Sequence, residues 1–209
     1  MQIQELLDRS GEPLCSSPPS LPKGLSEVLL SSADDLIGLL TAKNGFYAFQ
    51  KALHVFPSSC PTASMDLERW NASVLWLGEY GEVTSRCLFF AEDLFGVQFA
   101  IQDGVVYRFD PEVGVLDPFA KNVESWAGRL VQDPEFETGY PLLLEWEKVN
   151  GRLPEGKRLL PKMPFVLGGE YSVENLYAAD AVEGMKVRAD IWRQIKNLPD
   201  GAQIRLKII

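Results

Sequence analysis

The residues from Cys87 to Phe109, CLFFAEDLFGVQFAIQDGVVYRF, carry the strongest β signal in the chain. An apolar run, Cys87 to Ala91, is followed by Phe95, Val97, Phe99 and Ile101 alternating with smaller or polar residues, then Asp103-Gly104, then Val105 to Phe109. Asp-Gly between two β-rich runs is the favoured two-residue hairpin loop of type I′, because both central positions need positive φ. Asp110-Pro111-Glu112 makes a further turn before Val115-Leu116. This pattern predicts an antiparallel meander.

Helical periodicity follows on the C-terminal side. Asn122 is placed to cap a helix carrying Val123, Trp126, Ala127, Leu130 and Val131, and Tyr140 to Val149 presents Leu142, Leu143, Trp146 and Val149. Lys157 to Leu167 reads as extended chain interrupted by Pro161 and Pro164. Ala178 to Ile195 reads as a helix with Ala181, Val182, Met185, Ala189 and Trp192 on one face. Pro199-Asp200-Gly201 then turns the chain into a last strand through Ile204, Leu206 and Ile208.

On the N-terminal side, Ser64 is placed to cap a helix of three to four turns through Leu67, Trp70, Val74 and Leu77. Phe46 to Phe56 reads as extended chain ending at Pro57. Ser32 caps a helix with Leu36, Ile37 and Leu40 on its apolar face, stopped by Asn44-Gly45, and Pro22 opens a short helix to about Leu30. Gly11 to Lys23, GEPLCSSPPSLPK, is too rich in Pro and Ser for a regular element. The whole predicts an α+β fold, a twisted antiparallel or mixed sheet flanked by helices. It divides into an N-terminal helix and flexible lead-in (1–19), a core (20–150) and a C-terminal helix-strand extension packed on it (151–209).

The chain has 209 residues, 46% of them hydrophobic, which suffices for a full core. No apolar run approaches the roughly 18 residues of a membrane span, and the opening MQIQELLDRS carries two acids where a secretory signal is basic and then apolar. A cytoplasmic protein without membrane partners is expected. Cys15, Cys60 and Cys87 are odd in number and far apart, and read as reduced thiols; with His54, the one histidine, they are too scattered for a zinc site. Neither a metal nor another cofactor is expected.

The net charge of −9 is unevenly placed. Residues 1–150 hold 10 basic and 22 acidic side chains, residues 151–209 hold 10 and 7. Such a field repels phosphate backbones and steers basic proteins toward the chain, so a nucleic-acid partner is not expected. Ordinary solubilising charge has the same appearance.

Leu88 to Leu130 resembles the core signature of the SUKH superfamily, the Smi/Knr-like proteins. The matching positions are Phe89 and Phe90, Glu92 and Asp93, Gly96, then Val106, Tyr107, Phe109, Asp110 and Pro111, and the helix with Val123, Trp126 and Leu130. Leu21-Pro22 and Asn44-Gly45-Phe46 resemble the family's N-terminal region, so the likeness spans roughly residues 20–132. The chain departs from it at Glu92 to Val97, where one glycine stands in a commonly glycine-richer loop. The resemblance implies a bacterial immunity protein of a polymorphic toxin system, binding and blocking a toxin domain such as a nuclease or deaminase. A regulatory or scaffold adaptor is the alternative it leaves open.

On this reading the protein is not an enzyme. The partner-binding residues are expected among Glu79, Glu82, Glu92, Asp93, Asp110 and Glu112, with Trp76, off the Leu67-Trp70-Val74 stripe, as an exposed anchor. The plainer alternatives are solvated turn carboxylates and a Trp76 packed on the sheet. No serine or cysteine stands in a nucleophile context such as G-x-S-x-G, and Gly168-Gly169 lacks the lysine of a phosphate loop. A remote alternative, a hydrolase using clustered carboxylates, predicts a deep pocket where several acids converge.

Overall fold

The computed structural model describes residues 1–21, 32–199 and 201–206. Helix α1 (Gln2–Asp8) opens the chain, and α2 (Ser32–Ala42) leads into β1 (Phe46–Ala48) and β2 (Leu53–Val55). A single-turn helix, α3 (Leu67–Trp70), and two short 3-10 turns precede the meander of β3 (Leu88–Asp93), β4 (Gln98–Gln102), β5 (Val105–Asp110) and β6 (Val115–Ala120). Then come α4 (Val123–Gln132), α5 (Pro134–Thr138) and α6 (Tyr140–Asn150), the hairpin of β7 (Lys157–Pro161) and β8 (Leu176–Asp180), and α7 (Ala181–Ile195). The fold is α+β: six antiparallel strands in the order β1 to β6, a small second sheet and seven α-helices among the described residues.

The central hairpin forms as its sequence requires. Asp103 and Gly104 both take positive φ, 48° and 83°, and Gln102 pairs with Val105 across the turn. Asn122 accepts a hydrogen bond from Ser125 N at 2.9 Å and starts α4. β3 is buried at every position, as a central strand covered on both faces must be. On one face Phe90 and Phe99 meet Trp126 of α4 with ring centroids 4.9 and 5.7 Å away. On the other, Phe89 and Phe109 pack on Trp76 and Tyr80, and Tyr80 on Trp192 of α7.

Several expectations are corrected. The helix expected from Ser64 shrinks to α3, capped by Asp66 at 3.0 Å. Asn71 ends it by bonding β3 in both directions, Phe89 N donating to its Oδ1 and its Nδ2 donating to Phe89 O, each at 2.8 Å. Val74 is thereby left exposed and Trp76 is fully buried, so Trp76 is a core residue and not an exposed anchor. Phe46 to Phe56 is a hairpin, reversed at Phe49, Gln50 and Lys51, all with positive φ. Residues 176–180 form β8, and the last helix starts only after Asp180, which caps it. Residues 202–206 form no strand, and the rest of that expected strand, like the helix expected from Pro22, lies outside the described residues.

The lead-in is tied down. Gly11 N, Leu14 N and Cys15 N donate to Tyr47, Gly45 and Asn44 carbonyls at 2.8, 2.8 and 3.0 Å, and Ser10 bridges Ala48 at the edge of β1. Cys15 and Cys60 form a disulfide across a Cα separation of 5.9 Å, which corrects the reading of three reduced thiols; Cys87 alone is free, and it is buried. No helix of the described residues is long and apolar enough to cross a membrane.

Candidate binding cleft

Two carboxylates expected at the surface lie inside the protein. Glu92 and Asp93 are 2% and 1% exposed, so neither faces a partner. Their strand is central, so side chains on both of its faces meet protein. Glu92 Oε1 lies 2.9 Å from Arg158 Nε on β7 and 3.2 Å from His54 Nδ1 on β2, while Gln98 Nε2 donates to Oε2 at 3.2 Å. Burial pushes the Glu92 carboxyl up, but Arg158 with the His54 and Gln98 hydrogen bonds outweighs it and holds the pKa down at about 2. Burial lowers His54 below its ordinary value.

Asp93 closes the β3–β4 turn. Its Oδ1 accepts from Phe95 N and Val97 N, both at 2.9 Å, and its Oδ2 lies 3.6 Å from Arg108. Here burial prevails over Arg108 and the two backbone donors, and the pKa rises to about 6. The turn so fixed carries Phe95 into the wall of a cleft.

That cleft has a volume of about 650 Å³ and opens between α5–α6 and the 165–171 loop. Phe95, Phe165 and Tyr171 form an aromatic wall: Phe165 and Tyr171 stack at 3.8 Å with planes 8° apart, and both meet Phe95 edge-on. Phe136 and Tyr171, 74% and 65% exposed, belong to its lining. Gly139 bridges α5 and α6 at φ 75°, where an added Cβ would fall 2.5 Å from the Phe95 ring.

Six charged side chains line the cleft: Arg108, Arg188, Asp110, Glu112, Glu135 and Glu145. Both cations are engaged. Arg108 lies between Asp93 and Glu137, at 3.6 and 3.4 Å. Arg188, 3% exposed, donates to the carbonyls of Phe95 and Gly184. Glu112 is also engaged and 4% exposed, accepting from Val166 N at 2.9 Å, and burial raises its pKa. Asp110 accepts from Glu112 N at 2.8 Å through one oxygen. Among the described residues no ion pair is formed by Asp110, Glu135 or Glu145.

Of the seven residues singled out in the sequence, the structure brings Asp110 and Glu112 together at the cleft. Glu112 serves the 165–171 loop and presents little of itself to solvent. Glu79 and Glu82 are exposed, and Glu79 pairs with Arg193 of α7. Sequence reasoning missed Glu135, Phe136, Glu145 and Tyr171. Phe136 carried a legible signal, a large aromatic between acids in the short, otherwise polar PEFET segment; the others did not.

No protein-family model matches the chain, and no curated protein matches it. Among solved structures it is similar to the crystal structure of Atu4351 from Agrobacterium tumefaciens, with 17% sequence identity and a TM-score of 0.59 over 89% of this chain and 87% of that one. At that identity the likeness is one of fold: both chains share the α+β architecture over most of their length.

Proposed function

We propose that the chain is a non-catalytic binding module that takes a basic segment of another protein into the aromatic, acid-rimmed cleft. The resemblance of residues 20–132 to the SUKH superfamily supplies the partner class, a toxin domain such as a nuclease or deaminase that the chain neutralises as an immunity protein. The observation that carries the reading is the imbalance of the lining: both arginines are already engaged, whereas Asp110, Glu135 and Glu145 form no ion pair among the described residues. Nucleases need positive charge for their own substrate, so such a cleft complements them and competes with the nucleic acid.

Co-expression with the products of the neighbouring genes, a toxin domain being expected among them, tests it. The expected result is a complex that weakens as salt rises and weakens at least tenfold in Glu135→Lys/Glu145→Lys. No complex at low salt, or a complex indifferent to both, would end the proposal. A second reading, a carboxylate hydrolase, draws on the convergence of Asp110, Glu112, Glu135 and Glu145 in one cleft; it requires turnover that is lost in Glu112→Gln. An adaptor role shares the cleft and differs only in the partner.

A further inference from the structure

The occupant of the cleft follows from how its groups are arranged. A purely apolar ligand would leave three carboxylates at its margin unanswered. An anionic ligand would need the guanidinium groups of Arg108 and Arg188, and these are held by Asp93, Glu137 and backbone carbonyls. A cation with a flat, weakly hydrated face suits both features: it stacks on aromatic rings and pairs with a carboxylate through the same plane. The Phe165–Tyr171 stack offers such a surface beside Phe136, and Asp110, Glu135 and Glu145 share its cleft. Burial raises the Tyr171 pKa, and the field of Asp110, Asp93 and Glu112 adds to it. The volume falls within the roughly 300–1,000 Å³ of ligand clefts, enough for one long side chain with its flanking residues.

Resting on the binding function above, we infer that the cleft is an arginine pocket: one arginine of the partner, flanked by apolar residues, enters between Phe136 and Tyr171 and pairs with Glu135 or Glu145, with Asp110 adding to the negative field. Lysine enters less well, because a compact ammonium is more strongly hydrated and does not stack.

The probes are N-acetyl-arginine methylamide and its lysine, norleucine and glutamate counterparts, titrated into the full chain while the amide resonances of Gly139 and Tyr171 are followed by NMR. The arginine probe is expected to shift both, to bind several-fold more tightly than the lysine probe, and to lose about tenfold in affinity in Glu135→Gln/Glu145→Gln and in Tyr171→Ala. All three positions are exposed, so neither variant disturbs the core. Equal binding of the norleucine probe, preference for glutamate, or no shift with arginine each overturns the inference. The toxin complex separates the two claims. If the variants abolish arginine binding but spare the complex, the pocket stands and its role in the interface falls. If they abolish the complex while the parent protein ignores the arginine probe, the interface stands and the arginine pocket falls.

Discussion

Glu92 and Asp93 are adjacent on β3 and almost equally buried, yet they stand at opposite ends of the carboxylate range, one held at about 2 and the other raised to about 6. Successive side chains on a strand point to opposite faces. Glu92 therefore meets Arg158 at 2.9 Å on one side and Asp93 meets Arg108 at 3.6 Å on the other. The closer and buried cation, Arg158, decides the first case; at Asp93 burial prevails over the more distant, part-exposed Arg108 and two backbone donors.

Their linkage to stability has opposite sign. Between about pH 4 and pH 6 folded Asp93 keeps a proton that the unfolded chain has released, so its contribution to stability falls as pH rises through that window. Folded Glu92 releases its proton first, so its contribution is complete above about pH 4.5 and is lost as pH falls toward 2. His54, lowered in the folded state, loses stability as pH falls below 6.5 and partly masks Asp93. Urea midpoints measured against pH should show that Asp93→Asn removes a falling slope between pH 4 and 6, on the order of 3 kcal/mol in total. A parent-minus-variant difference that is flat there, or rises, contradicts the assignment.

Glu92→Gln leaves Arg158, 2% exposed, without its counter-charge. A loss of about 3–5 kcal/mol is expected in equilibrium denaturation at pH 7. Replacing both, as Glu92→Gln with Arg158→Met, should recover most of it. A double variant as weak as the single one would show that the charge pair is not what the site depends on.

Trp76 is expected to behave as a core residue. Trp76→Ala should cost about 3–5 kcal/mol, and Val74→Ala, on an exposed side chain, less than about 0.5 kcal/mol. The Trp76 indole N–H is buried with no acceptor among the described residues, so Trp76→Phe should cost much less than Trp76→Ala. Thermal melts of the three variants check the order.

Thiol counting checks the disulfide. Unfolded without reductant, the chain should show one reactive thiol, Cys87, and three after reduction; folded, it should show none, since Cys87 is buried and its pKa is pushed up to about 12. The bridge spans 45 residues, so Cys15→Ser/Cys60→Ser should lower stability by about 4 kcal/mol. Three thiols before reduction would remove the bridge.

What the sequence revealed was local. The Asp103-Gly104 hairpin, the Asn122 cap and the antiparallel order of the meander all follow from neighbours within a few residues. What it concealed depends on distant partners. Glu92 and Asp93 look like solvated turn residues until Arg158 and Arg108 are placed beside them. The turn at Phe49–Lys51 contains no glycine, asparagine or proline to announce its positive φ values. Trp76 fell off the apolar stripe because the stripe assumed a helix that Asn71 ends. The cleft joins residues from 95 to 188, of which Asp110 and Glu112 alone were singled out beforehand, because no local pattern links them.

Helix α1 docks on α4: Gln2 N donates to Glu124, 122 residues away, and Arg9 donates to the carbonyl of Val131. Leu6 and Leu7 are buried by that arrangement. A ribosome adding about 5–20 residues per second needs roughly 6–25 seconds to pass from one helix to the other. Throughout that interval Leu6 and Leu7 lack the α4 face that will cover them, so α1 cannot settle until α4 has been made, and a chaperone that shelters it meanwhile should raise the yield.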